Sequence, residues 1–498
     1  MSKLTLIVLL SSLSLCYGYK LLLVFPFPNL SNSILGQGYV RNLLKAGHEV
    51  TYITPYPMEN ATKALRQIEV TNNTNILTGK EMYLEDVSSF MDTMLKIAIN
   101  ATLNHKNVQK LLNEPKEQFD AVIVEWMYSE VYAGFSSVFN CPLIWSSPVM
   151  PNSFVLSLIN EDSSAYSSGL TTYTSPWKRI EEQYRFLRMK FHRWLLSDKE
   201  KSLFNRAFGP AAAKRGAILP PFEVIKYNGS LVLGNSHYSI GQKIRLPLNY
   251  IEIAGYHVDD KREILPKNLQ KIMDGSKKGV VYISFGSMFR ESLASNIETA
   301  ILNVSKKINR TVIWKYDKAL KTPNNVHVFK HVEQQSILAH KNCALFISNG
   351  DLLSVIEAIH FGIPLIGIPI NEDQITNMKN AEDKSFARIV DFQNIMSLKT
   401  VIDNILQNPK YREAARSISS IYHDRPITPG RELVFWIEHV VRKGALHLCS
   451  TDTSHSTVYV DVAIVVVVPV TCFMVLCACI YILFRRKAEN EVDYKKFI

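Results

Sequence analysis

The stretch from Phe346 to Asn377, FISNGDLLSVIEAIHFGIPLIGIPINEDQITN, limits the folds open to this chain more than any other. A short apolar run ends in Ser348-Asn349-Gly350-Asp351, and a helical pattern opens at once behind it. A second apolar run, Leu365 to Ile368, leads into the polar patch Glu372-Asp373-Gln374. The order is strand, tight turn, helix, strand, loop. A turn feeding a helix N-terminus presents backbone N–H groups and the positive end of the helix dipole, a natural seat for a phosphate.

The same alternation runs through much of the chain. Lys20 to Phe25 reads as a strand, Pro26 to Ser33 as a loop, Ile34 to Ala46 as a helix stopped by Gly47, and Glu49 to Ile53 as the next strand. Ala121 to Glu125 and Leu143 to Trp145 look like buried parallel strands. Residues 150 to 250 are aromatic-rich and helical in places, as at Ile180 to Leu196; they suit either an acceptor pocket or a helical insert on the sheet. Regular alternation resumes at Gly279, with strands at Val280 to Phe285, Thr311 to Trp314, His327 to Phe329, Leu345 to Ser348 and Leu365 to Gly367. A body of roughly 440 residues exceeds one ordinary domain. The expected fold is therefore α/β, with two facing doubly wound, Rossmann-like domains. Their boundary falls between Ile253 and Gly279, giving an N-terminal domain over 19–255 and a C-terminal domain over 256–445. Such domains turn the C-terminal ends of their strands toward a shared cleft, where ligands bind.

The two ends of the chain carry addresses. Lys3 followed by the apolar run Leu4 to Cys16 predicts a secretory signal over 1–18. Val462 to Phe484 is apolar and uncharged, and a spanning helix needs about 20 such residues. Arg485-Arg486-Lys487 follow, which places the tail 485–498 in the cytosol and the body in the lumen, a single-pass type I topology. Lys495-Lys496 near the end match a dilysine signal for return to the endoplasmic reticulum membrane. Sequons start at Asn29, Asn60, Asn72, Asn100, Asn228, Asn303 and Asn309, all on the predicted lumenal side. Three scattered lumenal cysteines, Cys141, Cys343 and Cys449, exclude a disulfide scaffold, and no Cys/His spacing suggests a metal site. The net charge of +11 is dispersed, with no basic run interleaved by aromatics, so no nucleic-acid partner is expected.

The chain from Lys20 onward resembles the membrane-bound UDP-glycosyltransferases, the UDP-glucuronosyl/glucosyltransferase family, with the insect and viral branches nearest through the opening VFPFPNLSNSILG. Gly286-Ser287 resembles the family's Phe-Gly-Ser turn, and Gln334 with Ile337-Leu338-Ala339-His340 its Trp-x-Pro-Gln element. Leu352-Leu353-Ser354, Glu357-Ala358, Gly362-Ile363-Pro364, Asp373-Gln374 and Asn377 follow in register. The resemblance implies a GT-B fold, a UDP-sugar as co-substrate with no metal or other cofactor, and transfer of a hexose, expected to be glucose, to a small lipophilic acceptor with inversion, in the manner of detoxification. It also implies roles. Glu357 would bind the ribose, and Ser287, Ser354 and the N–H groups of Asn349 and Gly350 the diphosphate. Gln334 would meet the uracil and ribose region, with His331 at the stacking position. Asp373 and Gln374 would hold the sugar hydroxyls.

Several positions depart from the family pattern. Asn32 stands where the family has a His general base, and Glu125 at the acidic partner of that base. His331 replaces the stacking Trp, Glu333 a Pro, Asn349 the phosphate-binding His and Asp351 the second Gly of the turn. Loss of a general base typically costs on the order of 10²–10⁴ in rate. Two readings follow: a transferase with altered chemistry, or a catalytically weak relative acting as a ligand-binding or partner subunit in the membrane. A single span also permits self-association or pairing with related transferases.

Overall fold

The computed structural model describes residues 18–59, 62–70, 87–159, 176–241, 246–258, 264–286, 295–318, 320–444 and the single position 474. The expected signal, the rest of the expected span, the cytosolic tail and Ser287 lie outside the described residues. Among the described residues no helix is long and apolar enough to cross a membrane.

Among the described residues thirteen strands form two sheets, each with parallel pairing throughout. The first contains β1 (Lys20–Val24), β2 (Glu49–Thr54), β3 (Leu65–Glu69), β4 (Ala121–Glu125), β5 (Leu143–Ser147), β6 (Leu231–Gly234) and β7 (Tyr250–Glu252), in the order β3-β2-β1-β4-β5-β6-β7. The second contains β8 (Val280–Ser284), β9 (Thr311–Lys315), β10 (Val326–Phe329), β11 (Cys343–Ser348), β12 (Leu365–Gly367) and β13 (Ala387–Ile389), in the order β10-β9-β8-β11-β12-β13. Helices cover both sheets, and the central strands β1, β4, β5 and β8 are almost wholly buried. Strand order reverses beside β1 in one sheet and beside β8 in the other. A crevice therefore opens between β1 and β4, and a second between β8 and β11.

Two local features differ from the sequence expectation. The first helix is Leu30–Lys45, four residues longer at its start than the pattern predicts, because the Asn29 side chain caps it by accepting from the Ser31 N–H. Asn32 therefore sits on the first helical turn rather than in a loop. Gly36 and Gly38 lie inside this helix, where a Cβ would come within 2.3 Å of the Tyr52 hydroxyl and 2.9 Å of the His257 Cα. Close packing accounts for both glycines. Residues 150 to 250 contribute one long helix, Pro176–Lys214, whose Leu203, Phe204 and Phe208 join Phe135 and Phe222 in the core of the first domain.

The two domains are tied together at two places. The connection after β7 is gripped from the first helix: Asn42 Nδ2 donates to the Tyr256 carbonyl at 2.9 Å and Arg41 Nη2 to the His257 carbonyl at 2.9 Å. From the other side the Tyr422 hydroxyl donates to the Ala254 carbonyl at 2.8 Å. The last described helix, Pro429–Lys443, leaves the second domain and returns to the first, burying Leu433, Ile437 and Val440 against Leu35, Tyr39, Val40 and Leu43. Leu353, on the helix after β11, enters the same cluster. Truncating a fully buried Ile leaves a cavity and typically costs about 2–5 kcal/mol. Ile437→Ala is expected to lower the thermal unfolding midpoint of the full chain by several degrees, as followed by circular dichroism.

Candidate active site

The first crevice brings Asn32 and Glu125 together. Glu125 is the last residue of β4, and Asn32 rises from the helix after β1, so the strand-order reversal sets them side by side. Asn32 Nδ2 donates to Glu125 Oε1 at 2.7 Å and lies 3.7 Å from Met127 Sδ. Both residues are buried. Glu125 Oε2 is buried and has no hydrogen-bond partner. Burial pushes the Glu125 carboxyl up to about 8, against smaller opposing effects from the Asn32 amide and from the Phe27 backbone. Glu125 lines a small pocket, partly open to solvent, whose other walls include Phe27, Met94, Ile97, Met127 and Tyr132. Met94 sits near the end of the helix Val87–Lys96, and Ile97 opens the π-helical segment Ile97–Leu103. The pocket is thus built by Pro26 and Phe27 together with residues from 94 to 132, within a region where the sequence showed no readable acceptor pattern.

A polar network anchors the long helix behind this cavity. Trp126 Nε1 donates to Glu130 at 2.9 Å, Arg193 pairs with Glu130, and Ser129 donates to Glu200 at 2.8 Å. Burial works against ionisation of Glu130, but the Arg193 guanidinium outweighs it and holds the carboxyl below its ordinary range. His48 lies elsewhere: its Nδ1 accepts from the Tyr19 N–H at 3.1 Å and its Nε2 lies 3.2 Å from Glu438, at the opposite end of the strands.

The second crevice holds the Asn349-Gly350-Asp351 turn. Gly350 has a φ of +80°, and a Cβ there would come within 2.3 Å of Met378 Cγ, so both backbone conformation and space demand glycine. The Gly350 N–H, expected to face a phosphate, donates instead to Ser348 Oγ at 3.0 Å. Asp351 caps the helix Leu352–His360, its Oδ1 accepting from the Ser354 N–H at 2.7 Å. Its Oδ2 points toward the turn after β8, where a Cβ on Gly286 would lie 3.7 Å away. A carboxylate therefore occupies the helix N-terminus between the β8 and β11 turns. Burial raises the Asp351 carboxyl, the Glu357 charge adds to the rise, and Ser354 opposes it. Ser354 is itself buried beneath this cap.

Glu357, on the same helix, is held by two amides. Gln334 Nε2 donates to Oε2 at 2.6 Å and Gln335 Nε2 to Oε1 at 3.1 Å, while the Tyr282 hydroxyl fixes Gln334 Oε1 at 3.2 Å. His257 Nε2 lies 3.5 Å from Glu357 Oε1; the ring is fully buried and neither nitrogen has a hydrogen-bond partner. Gln335 and His257 escaped the sequence reading. The Gln334-Gln335 doublet was a usable signal for one of them. His257 had none, since only the fold carries the connection after β7 back to this helix.

Asp373 and Gln374 open the helix Glu372–Asp383. Asn377 Nδ2 links Asp373 Oδ2 at 3.2 Å to the Gly350 carbonyl at 3.4 Å, which brings Asp373 beside the turn. Protein packed around the cleft pushes the solvent-facing Asp373 carboxyl up to about 6, with a further rise from Asp351. Gln374 is buried, and its Oε1 accepts from the Ile370 N–H at 2.9 Å. His331 is exposed just ahead of the helix Gln334–Leu338. The second crevice thus gathers Gln334, Asn349, Gly350, Asp351, Ser354, Glu357, Asp373 and Gln374, with three carboxyl groups among them. Among the described residues no group of three His, Cys, Asp or Glu side chains is arranged to hold a metal ion.

Comparison with known proteins places this geometry. Solved structures with the same fold include the spinosyn forosaminyltransferase SpnP (TM-score 0.58, 18% identity, covering 85% of this chain and 100% of that one). The glycosyltransferase VinC in complex with dTDP matches with a TM-score of 0.57 at 16% identity, covering 85% of this chain and 100% of VinC. Both domains therefore have the GT-B arrangement. Among curated relatives, UDP-glycosyltransferase UGT5 of Dactylopius coccus is 29% identical over 88% of this chain and 86% of its own length. The ecdysteroid UDP-glucosyltransferase of Spodoptera littoralis nuclear polyhedrosis virus is 25% identical over 92% of this chain and 95% of its own. Residues 45–492 match the family described as UDP-glucoronosyl and UDP-glucosyl transferase, and the chain belongs to that family of UDP-glycosyltransferases.

Proposed function

We propose that the chain transfers a hexose, glucose by preference, from a UDP-sugar to a small lipophilic acceptor, with inversion at the anomeric carbon. The observation that carries this reading is the pairing of Asn32 with Glu125 in one crevice while Glu357 is held by Gln334 and Gln335 in the other. A buried carboxylate oriented by two amides suits a ribose diol, and a buried carboxyl beside an apolar cavity suits an acceptor hydroxyl. Asp373 and Gln374 would meet the sugar hydroxyls, and Ser287, Asn349 and Ser354 the diphosphate. His331 would cover part of the uracil.

The body is lumenal in this reading, held in the endoplasmic reticulum membrane by the segment 462–484 and returned there by Lys495-Lys496. The sequons at Asn228, Asn303 and Asn309 support it, since all three asparagines are exposed. Transfer to small lipophilic acceptors would serve a detoxifying role. A ligand-binding or partner role without turnover is the competing reading, and Asp351 is the observation that favours it. A carboxylate in the helix N-terminus competes with a phosphate for the same N–H groups.

Full-length protein in detergent micelles, given UDP-glucose and a panel of phenols and amines, should yield β-glucosides by proton NMR of the anomeric position. No product with any acceptor would favour the partner role. Donor binding carries a pH signature of defined sign. UDP-glucose keeps its full negative charge between pH 5.5 and 7.5. Asp351 and Asp373 both titrate above the ordinary Asp range, Asp373 at about 6, so repulsion of the donor is greatest at the upper end. Calorimetry should show the Kd for UDP-glucose falling as pH is lowered from 7.5 to 5.5. Asp351→Asn keeps the helix cap but removes the charge, and should tighten binding at pH 7.5 on the order of tenfold.

A further inference from the structure

We propose that Glu125 is itself the general base of this enzyme, its unpaired carboxylate oxygen taking the proton of a phenolic acceptor bound in the cavity between Phe27, Met127 and Tyr132. The inference rests on the transferase reading and adds a base and an acceptor class to it.

Three features support the assignment. Asn32 has no basic site, but its amide N–H pins Glu125 Oε1 at 2.7 Å, so it positions the carboxyl rather than exchanging protons. Oε2 is left buried and without a partner, in a residue that lines the cavity. A buried acceptor oxygen with nothing to bind is costly in a resting protein, and an incoming O–H group would satisfy it. The groups surrounding Glu125 come from several elements: Asn32 and Tyr39 from the first helix, Tyr52 from β2, Tyr132 after β4, Tyr256 from the interdomain connection and the Phe27 backbone. All are neutral, so the carboxylate has no fixed counter-ion among them and its basicity stays high. The rise of Glu125 to about 8 follows from that setting and brings it near the operating range of a general base.

The cavity selects the acceptor. Met94 and Met127 with Phe27 and Tyr132 offer two thioethers and two rings, surfaces that favour a flat aromatic group. A phenol is also more acidic than an alcohol, so a carboxylate can take its proton as attack proceeds. The step balances simply. The phenol oxygen bonds to the anomeric carbon while the bond from that carbon to the β-phosphate oxygen breaks with its electron pair. UDP leaves, and the phenol proton ends on Glu125 Oε2.

The test uses the full chain in detergent micelles with UDP-glucose and 4-methylphenol, whose hydroxyl titrates well above the range studied. Native kcat should rise with pH through about 8 and then level off. Glu125→Gln should lower kcat by about 10²–10⁴ and abolish the step, with the KM for UDP-glucose within about threefold of native. Glu125→Asp, a second variant that keeps the carboxyl, should retain partial activity with a displaced step. Glu125→Gln activity within about threefold of native would overturn the proposal, as would a flat native profile from pH 6 to 9. An Asn32→His gain above about a hundredfold would also overturn it, because it would show that the native site lacks a base. Native transfer to aniline but not to 4-methylphenol would leave the transferase reading standing and remove this proposal; transfer to neither would remove both.

Discussion

The reversal of strand order beside β1 and beside β8 is the constraint on which the rest depends. Parallel strands must be joined by crossover helices, and helices leaving in opposite directions on the two sides of a strand leave a gap at its C-terminal end. In this chain both gaps are occupied by side chains that could do chemistry: Asn32 and Glu125 in one, the Asn349 to Asp351 turn in the other. The two gaps are held in relation by elements of neither sheet. Helix Pro429–Lys443 crosses from the second domain to pack on the first, and the Ala254 to His257 connection is hydrogen-bonded from both sides. His257 is where this arrangement becomes local chemistry, since its backbone carbonyl is bound from the first helix while its ring lies beside Glu357.

Much of this was legible because continuous apolar runs bounded by turn residues can be little other than buried parallel strands. Val280 to Ser284 and Cys343 to Ser348 fall within a residue or two of their expected bounds for that reason. The first helix begins earlier than its apolar pattern because the Asn29 side chain caps it, which only the folded backbone shows. The register of Gln334, Ser354, Glu357, Asp373 and Gln374 was readable from ordered motifs. The state of the turn was not. Whether the Asp351 carboxyl faces a phosphate or caps the helix depends on the Ser354 N–H and on the space left by Gly286. The cavity walls were the least legible part. Met94, Ile97, Met127 and Tyr132 carry no local pattern and converge only because a π-helical segment and the end of β4 meet at the crevice.

The two halves of the cleft depart from family habit in ways that a buried carboxyl can explain on both sides. Glu125 is desolvated and faces neutral groups, so its proton is held tightly and its anion, once formed, is a strong acceptor. Asp351 is desolvated as well, but the Ser354 N–H and hydroxyl stabilise its anion. One carboxyl has an oxygen without a hydrogen-bond partner beside a largely apolar pocket wall. The other gives one of its oxygens to the helix it caps. The same residue type at two switch points thus reads as a reactive group in one place and as a structural stand-in for a ligand's charge in the other.

These settings pull in opposite directions as pH changes. Raising pH through the range where Glu125 loses its proton favours attack by an acceptor hydroxyl. Lowering pH through the range where Asp373 gains one, at about 6, favours entry of an anionic donor. With donor in excess the first effect governs turnover; with donor scarce the second also bears on it, and the useful window lies between the two titrations. The position of that window is set chiefly by loss of water, with Asp351 adding to the rise of Asp373 and the Asn32 and Asn377 amides opposing the shifts. The apolar packing that closes the cleft therefore also fixes where on the pH scale the two substrates can be handled together.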